Sequence, residues 1–182
     1  RRHVGTEPLP ADAWAAAVGA SATPEADRSE AQREAVALAA RLVEEMVDAD
    51  ALLLAVPLYN FGVSQHIKTW VDLVITDPRM ASGATPAIAG KPAVLATVRG
   101  GAYGAGTPRE GWDHSTGWLR RILEDVWELD LKVVEEEFTL VGVNPALDSF
   151  AELAEQLRVE AAAVATEHGR SLAETATSQR PA

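Results

Sequence analysis

The stretch that decides the fold is residues 51–72, which read ALLLAVPLYNFGVSQHIKTWVD. Its first six residues are apolar without interruption, which is typical of a parallel strand covered by helices on both faces. We therefore expect a central strand over residues 51–56. The apolar residues from Val63 to Val74 recur at helical spacing and predict a helix that ends before Asp77. A strand that passes through a short loop into a helix is part of the repeating unit of an α/β protein.

The same alternation of strands and helices extends along the rest of the chain. The further predicted elements are a short helical stretch at 12–18, a helix from Ser29 to about Val47, strands at 92–98 and 131–141, and helices beginning at Asp113 and spanning 147–166. The long helix near the start carries a capping box, because Gln32 follows Ser29 by three residues. The alternation predicts an open parallel sheet with helices on both faces and right-handed crossovers.

Length and composition limit the class of protein. The chain has 182 residues, of which 47% are hydrophobic and 24% charged, and this favours a single folded domain over residues 1–170. Residues 171–182 are small and polar, and we expect them to form a disordered tail. The formal net charge of -11 argues against nucleic acid as a partner. No stretch reaches the roughly 18 apolar residues of a membrane helix, and the absence of cysteine suits a soluble protein of the reducing cytoplasm.

Two loops are the candidates for a binding site, because ligands of open parallel sheets bind beyond the carboxyl ends of the strands. The first loop, at 57–62, reads PLYNFG and offers two aromatic rings and an amide. The second begins with Arg99-Gly100-Gly101 and is rich in glycine as far as Gly111. Aromatic rings can stack on a flat ligand, peptide groups can bind its polar edge, and a cation can face developing negative charge. A flavin is such a ligand.

These segments also carry a resemblance to a known family. Residues 57–72 resemble the segment P-M-Y-N-F-x-x-P-x-Q-L-K-x-W-I-D of the FMN-dependent NADH-azoreductases, which are related to the NAD(P)H:quinone reductases. Val98-Arg99-Gly100-Gly101 is similar to the S/A-R-G-G loop of that family. The resemblance extends with decreasing strength from Gly5 to about Ala165, and it implies a flavodoxin-like fold.

The resemblance implies an FMN-dependent oxidoreductase. In such an enzyme NADH or NADPH reduces the flavin, and a quinone, azo compound or related small aromatic electrophile then takes two electrons in a ping-pong reaction. The residues assigned to the cofactor are Leu58, Tyr59, Asn60, Phe61, Thr97, Val98, Arg99, Gly100, Gly101 and Tyr103. The flavin carries the chemistry, so no protein residue is assigned a catalytic role. The resemblance also implies a homodimer.

The chain departs from this family in its first residues. Family members begin with a strand and a Ser-rich loop that holds the FMN phosphate, and nothing before Gly5 resembles them. We expect this first strand to be missing from the given chain, with roughly two dozen residues or more preceding Arg1. The alternative is a non-catalytic flavodoxin-like binding or regulatory subunit that has lost FMN phosphate binding. Val98 in place of Ser and Ser64 in place of Pro are smaller departures.

Histidines and tryptophans near the loops are weaker candidates. His66 and His114 have no second ligand at metal spacing, so we expect no metal site. His66 is interpreted as a helix-surface residue, whereas His114 follows the glycine-rich loop and is a candidate contact for the substrate. The segment around Gly104 and Gly106 lacks the pattern of a dinucleotide fingerprint and is interpreted as a lid. Trp112 is a candidate for lining the pocket.

Overall fold

A computed structural model of the chain describes residues 1–81, 83 and 85–178. The helices are α1 (Ala13–Ser21), α2 (Glu30–Asp48), α3 (Gln65–Val74), α4 (Thr116–Arg120) and α5 (Ala151–Ser178), and the strands are β1 (Leu52–Ala55), β2 (Pro92–Val98) and β3 (Asp130–Glu136). Short 3-10 helices lie at Glu25–Asp27, Pro78–Met80 and Pro145–Phe150, and a π-helical segment, Arg121–Val126, follows α4. The order of strands and helices is the order that the sequence predicts.

The chain divides into two compact units. The first unit comprises Arg1–Ala49, Gln65–Ala89 and Val126–Glu128, and it contains α1, α2 and α3. The second comprises Asp50–Ser64, Gly90–Asp125 and the chain from Leu129, and it contains the sheet, α4 and α5. The prediction of one domain over residues 1–170 stays a prediction.

The first unit is built on the pair formed by α1 and α2. The Ser29 hydroxyl accepts a hydrogen bond from the Gln32 N–H at 3.2 Å, and the Gln32 side chain accepts one from the Ser29 N–H at 2.9 Å. The predicted capping box is therefore confirmed, and it fixes where α2 begins. The buried face of α1 carries small side chains, Ala13, Ala17 and Ala20. Small residues let the two helix backbones approach closely, so this pair packs without large side chains from α1.

Aromatic packing closes the same unit at α3. The Trp70 ring meets the Trp127 ring edge to face at a centroid distance of 5.4 Å. Trp127 is fully buried, and a buried edge-to-face pair stabilises a fold by about 1 kcal/mol beyond the area that it buries. Trp127 therefore belongs to the core of the first unit, and the half-buried Trp70 packs against it.

The second unit is built on a parallel sheet with strand order β1-β2-β3. The register pairs Leu54 with Leu95, and Leu95 in turn with Val133. Helix α5 covers one face, where Ala161 packs in a cluster with Val94 and Val134. The opposite face of β2 is also buried, so β2 is the central strand. The predicted open parallel α/β sheet is confirmed.

The position of β1 differs from the prediction. The sequence predicted a central strand over residues 51–56, but in the described sheet β1 pairs only with β2 and lies at an edge. Leu53 is 73% exposed. A continuous apolar run indicates that a strand belongs in a sheet, but the partners on each side of the strand depend on chain segments that the run itself does not specify.

The end of β3 also differs from the prediction. β3 ends at Glu136 rather than at Val141, because the chain turns at Phe138, whose φ is 61°. Residues 138–144 then form tight turns, since Asn144 and Val143 donate their N–H groups back to the Leu140 carbonyl. Strand-forming residues beyond Glu136 therefore lie in a loop that runs beside the carboxyl end of β2.

The C-terminal segment is more ordered than predicted. Residues 171–178 were predicted to be disordered, and this is wrong, because they continue α5 as far as Ser178. The Ser171 hydroxyl contacts the Lys132 ammonium of β3 at 2.7 Å, and Leu172 packs against the cluster around Val94. These tertiary contacts stabilise a segment whose local composition is too polar to indicate a helix. Residues 179–182 of the predicted tail lie outside the described residues.

Every helix of the described residues is too short or too polar to span a membrane.

Candidate functional site

The carboxyl ends of β1 and β2 bring the two predicted loops together. The Val56 N–H donates to the Ala96 carbonyl at 2.9 Å, and the Leu58 N–H donates to the Val98 carbonyl at 3.0 Å. The parallel pairing therefore continues beyond the end of β1. As a result, the loop that begins at Pro57 and the loop that begins at Arg99 leave the sheet side by side, at the edge where open α/β sheets bind ligands.

The first loop is a tight turn with an unusual backbone. The N–H groups of Tyr59 and Gly62 each donate to the carbonyl of the other residue, at 3.3 and 2.9 Å. Between them, Asn60 and Phe61 both have positive φ, 48° and 66°. Two central residues of positive φ define a type I′ turn, for which Asn is well suited and Phe is not. A bulky residue held in the left-handed region costs free energy, and such strain is concentrated at functional sites.

The strained turn presents Phe61 to an aromatic cluster. The Phe61 ring lies 5.4 Å from the Trp112 ring, edge to face, and 6.2 Å from the Tyr103 ring. The Phe61 carbonyl accepts a hydrogen bond from the His114 N–H at 2.9 Å. Two ring contacts and one main-chain hydrogen bond therefore hold Phe61 in place, while 38% of the residue stays exposed. We call Phe61, Tyr103 and Trp112 the aromatic cluster.

The second loop is held by the segment that follows β3. The Gly100 and Gly101 carbonyls accept hydrogen bonds from the N–H groups of Leu140 and Phe138, both at 3.3 Å. A Cβ on Gly100 would lie 2.5 Å from the Leu140 side chain, so a larger residue would require that side chain to move. Gly100 thus lets the Leu140 side chain pack against the backbone of the second loop.

Four peptide donors of the two loops have no acceptor within the described part of the chain. They are the N–H groups of Asn60, Phe61, Gly100 and Gly101. Peptide N–H groups in a folded protein are almost always paired, and those that are not are open to water or to a ligand. Donors from both loops are therefore left unpaired at one edge of the sheet, where Asn60 and Phe61 are exposed, Gly100 is half-buried and Gly101 is buried.

Arg99 joins three segments around this edge. Its Nε lies 2.8 Å from an Asp113 carboxylate oxygen, its Nη2 lies 2.9 Å from Glu135, and its Nη1 lies 3.2 Å from Glu137. Nη2 also contacts the Thr116 hydroxyl at 3.3 Å. Arg99 is 8% exposed, so these contacts are largely screened from water. We call Arg99, Asp113, Glu135 and Glu137 the arginine cluster.

The arginine cluster extends to both loops through the main chain. The Glu137 carboxylate accepts a hydrogen bond from the Tyr103 N–H at 2.8 Å as well as from Arg99. Asp113 immediately precedes His114, whose N–H holds the Phe61 carbonyl. The position of the aromatic cluster therefore depends on the ion pairs of Arg99.

The electrostatics of Asp113 follow from its hydrogen bonds. Burial raises the pKa of the Asp113 carboxyl, but this effect is outweighed by hydrogen bonds from the Thr116 N–H and hydroxyl, from the Ser115 N–H, and by the charge of Arg99. The pKa of Asp113 is consequently below its ordinary value. Burial also lowers the pKa of Arg99, while Glu135, Asp113 and Glu137 raise it, with a net rise. Both groups therefore stay ionised near neutral pH.

The role expected for the Arg99 side chain needs correction. The sequence suggested a cation placed to face negative charge on a ligand, but the guanidinium is buried among carboxylates. Its one positive charge faces three negative charges, so the cluster carries no surplus positive charge to offer a ligand. The physical reason is that β3 pairs in parallel with β2, placing Glu136 opposite Val98 and its two acidic neighbours beside Arg99.

The structure brings most of the other predicted residues to the same edge. Leu58, Tyr59, Asn60 and Phe61 lie on the first loop, and Val98, Gly100, Gly101 and Tyr103 lie at or beyond the end of β2. Thr97 is buried on the face of β2 away from α5, and its hydroxyl has no hydrogen-bond partner among the described residues. The assignment of these residues to a cofactor stays a prediction.

The two histidines belong to different units. His66 is half-buried on α3 in the first unit, and the His114 side chain is exposed in the second unit. Among the residues that the structure describes, no group of three metal-binding side chains is placed to hold a metal ion.

Sequence reasoning missed the residues that complete the arginine cluster. Glu135 and Glu137 belong to an acidic run within the predicted strand at 131–141, and Asp113 was expected only to begin a helix. The useful signal is the spacing of the two glutamates, because residues i and i+2 of a strand project to the same side. The sequence alone does not give the register that places this side against Arg99.

The residues present fit the ring system of a flavin. The pyrimidine edge of an isoalloxazine carries carbonyl oxygens, which accept hydrogen bonds, and the open N–H groups of the two loops are donors. Exposed aromatic rings at Tyr59 and Phe61 can lie against a flat heteroaromatic surface. This fit concerns the flavin ring and not the phosphate of FMN.

Comparison with known proteins decides the family. Residues 2–160 match the protein family described as "Flavodoxin-like fold". The chain belongs to this family. The match begins in the first unit and includes all three strands of the second, so the expected flavodoxin-like fold is confirmed.

Individual relatives agree with the family match. An FMN-dependent NADH:quinone oxidoreductase of Frankia casuarinae is 39% identical over 166 residues, which cover 90% of this chain and 78% of the relative. A protein of the same name from Streptomyces coelicolor is 36% identical and covers 97% and 79% of the two chains. The crystal structure of an azoreductase from Bacillus anthracis shares the fold, with a TM-score of 0.64, 17% identity and coverage of 90% and 74%.

The type I′ turn can be tested by substitution at Asn60. We expect Asn60→Val to lower the free energy of unfolding by about 1–2 kcal/mol, because a β-branched side chain is disfavoured at positive φ. Asn60→Gly is the matched control and should leave stability unchanged or slightly raised. Urea denaturation of the three proteins measures the difference. Equal stability of the Val and Gly variants would show that the turn does not hold this conformation.

The arginine cluster can be tested by removing its cation. We expect Arg99→Gln to lower the free energy of unfolding by about 3 kcal/mol at pH 7, because three carboxylates lose their buried partner. Arg120→Gln removes an exposed arginine that pairs with Glu124 in the same unit, and it should cost less than about 1 kcal/mol. Urea denaturation of both variants and the wild type gives these values.

The difference in the free energy of unfolding between wild type and Arg99→Gln should depend on pH. The pKa of Asp113 is lowered in the folded protein, so its contribution to stability is full above its ordinary pKa and is lost as the pH falls through the lowered value. The difference between wild type and Arg99→Gln should therefore narrow in acid. A difference that stays constant from neutral pH to well below the ordinary carboxyl range would contradict the ion-pair assignment.

Proposed function

We propose that this protein is an FMN-dependent oxidoreductase that uses NADH or NADPH for the two-electron reduction of quinones, azo compounds or related electrophiles. One observation of the structure carries the proposal: open peptide donors and exposed aromatic rings converge where β1 and β2 end. Relatives that are 39% and 36% identical over most of their length are named FMN-dependent NADH:quinone oxidoreductases, which supports the same conclusion.

The residues of the two loops would hold the flavin ring. The N–H groups of Asn60, Phe61, Gly100 and Gly101 are suited to bind its carbonyl edge. Tyr59 is 59% exposed beside them and offers an aromatic face. When bound, FMN supplies the capacity to accept a hydride from the reduced nicotinamide and to pass two electrons to an acceptor.

Arg99 acts in this proposal as a positioning residue. Its guanidinium is occupied by carboxylates, so it contributes by fixing the loops rather than by meeting the ligand. Binding donors that are fixed before the ligand arrives lose little entropy on binding. The ion pairs of Arg99 therefore support binding of the flavin ring without contacting it.

The protein side chains are not required to supply an acid or a base. Tyr103 lies on the second loop, and the His114 N–H bonds to the Phe61 carbonyl of the first loop. His114 has an exposed imidazole and remains our candidate for contact with the acceptor. The acceptor itself is a small aromatic molecule, since the site offers flat apolar surfaces.

Two further statements belong to the proposal. We expect the protein to form a homodimer, as the family resemblance implies, and a monomer in size-exclusion chromatography with light scattering would overturn this. We also place the protein in the cytoplasm, because a chain without cysteine suits a reducing compartment.

The decisive experiment is reconstitution with FMN. We expect the purified protein to be yellow, or to become so after incubation with FMN and removal of the excess. Anaerobic addition of NADH should bleach the flavin absorbance, and a quinone should restore it. A protein that stays colourless after incubation would support a non-catalytic binding or regulatory subunit instead. A bound flavin that NADH and NADPH both fail to bleach would leave binding without turnover.

A substitution at Tyr59 tests where the flavin binds. We expect Tyr59→Ala to raise the Kd for FMN about tenfold, because an aromatic contact contributes about 1 kcal/mol or slightly more. Tyr59 is largely exposed, so the fold should not change. Trp14→Ala removes an aromatic side chain of similar exposure from the first unit and should leave the Kd unchanged. Titration of apoprotein with FMN, followed by flavin fluorescence, gives both constants.

A further inference from the structure

Arg109 lies against the aromatic cluster, although it belongs to neither of the segments that carry the family resemblance, residues 57–72 and 98–101. Its guanidinium carbon is 5.9 Å from the centroid of the Phe61 ring and 5.8 Å from that of the Tyr103 ring. Its Nη1 is 3.4 Å from the Tyr103 hydroxyl. A guanidinium within about 6 Å of an aromatic face is attracted by the ring electrons. Arg109 is therefore placed beside the rings of the proposed site, and it is exposed.

Arg109 carries a charge that no carboxylate neutralises within the described part of the chain. Arg99, Arg120, Arg121 and Arg158 of the second unit each pair with at least one carboxylate, whereas Arg109 and Arg170 do not pair with one among the described residues. The adjacent Glu110 directs its carboxylate to the Gly106 N–H, at 2.8 Å. In a protein with a formal net charge of -11, an unpaired arginine beside an aromatic surface is a distinctive feature.

The loop that carries Arg109 is held by its own hydrogen bonds. The Trp112 N–H donates to the Arg109 carbonyl at 3.0 Å, and the Thr107 hydroxyl contacts the Gly104 carbonyl at 2.8 Å. A Cβ on Gly101 would lie 3.2 Å from Arg109 Nη1, so the second glycine of the Arg-Gly-Gly motif leaves room for this side chain. The loop that carries Arg109 and the glycine at position 101 therefore both leave room for the Arg109 guanidinium in the position that it occupies.

We propose that Arg109 is a specificity-determining residue that binds an anionic substituent, a carboxylate or sulfonate, on an aromatic electron acceptor. The proposal rests on the proposed function of the same site. The rings of the aromatic cluster bind the flat body of the acceptor, and the guanidinium binds the anionic group at its edge. A guanidinium presents paired N–H donors that match the two oxygens of such a group, which a lysine cannot do.

The anion and the aromatic body must belong to one small molecule. Arg109 lies against Phe61 and Tyr103 at the same time, so an anion that it binds is close to the surface on which an aromatic ring would rest. The phosphates of a reduced nicotinamide nucleotide are the other anions that such an enzyme meets. An experiment that separates reduction of the flavin from its reoxidation distinguishes the two sources.

The test compares two acceptors that differ in one group. One is an uncharged naphthoquinone, and the other is the same naphthoquinone with a sulfonate substituent. In Arg109→Gln, we expect the KM for the sulfonated acceptor to rise about tenfold relative to wild type, with kcat changed less than twofold. The KM for the uncharged acceptor and the rate of flavin reduction by NADH should stay within twofold. Added salt should raise the KM for the sulfonated acceptor in wild type and have little effect in Arg109→Gln.

Two further variants control for charge and shape. Arg121→Gln removes one positive charge from an exposed arginine that pairs with Asp125, and it should leave both KM values unchanged. Arg109→Lys keeps the charge but loses the paired donors, so it should recover part of the wild-type KM for the sulfonated acceptor. Recovery by lysine would show that charge at this position, and not a change of fold, controls the effect.

Several results would overturn the proposal. They are an equal rise of KM for both acceptors in Arg109→Gln, an unchanged KM for the sulfonated one, and a loss confined to reduction by NADH, which would assign Arg109 to the nucleotide. Binding of naphthalene-2-sulfonate, followed by tryptophan fluorescence, tests the site without turnover. If the protein binds no FMN, the proposed function fails, and this titration of wild type and Arg109→Gln still decides the proposal: equal affinities overturn it.

Discussion

The buried guanidinium of Arg99 is the interaction on which the rest of the site depends. It draws together carboxylates from β3, from the segment that follows β3, and from the residues that precede α4. A guanidinium is well suited to this position because it stays charged when buried and has several donors in fixed directions. The residues that follow these carboxylates, or that bond to them, then place the aromatic rings. The geometry of both loops is consequently set by one charged group in the interior.

In this arrangement, one arginine supports the loops and another is available to contact a ligand. Arg99 has its charge matched within the fold, whereas Arg109 keeps a charge that the described residues do not neutralise. Two arginines ten positions apart in one glycine-rich loop thus have different physical roles. A buried cation with several carboxylate partners stabilises the loop, and an exposed cation over aromatic rings is available to a ligand. The site keeps its aromatic surface exposed because the strained turn at Phe61 is held by the surrounding hydrogen bonds.

The sequence indicated where the site lies better than how its residues act. The strand at 92–98 and the helix over 65–74 agree with their periodicity, because hydrophobic spacing reports directly on local structure. Arg99 was expected at the site and is there, but its partners were not foreseen. Those partners depend on the register of β3 against β2, which no local pattern specifies. The helical end of α5 was missed for the same reason, since contacts from β3 and the sheet face stabilise it.

What the sequence determined by itself was the order of strands and helices, the parallel sheet and the two loops at its carboxyl edge. These follow from the periods of apolar residues and from turn-forming residues, which act over a few positions of the chain. Only the tertiary structure decided that Arg99 is neutralised, that Phe61 is held at positive φ, and that Arg109 lies over two rings. Each of these depends on segments brought together by strand pairing, and ion pairs and ring contacts act only over distances of a few ångströms.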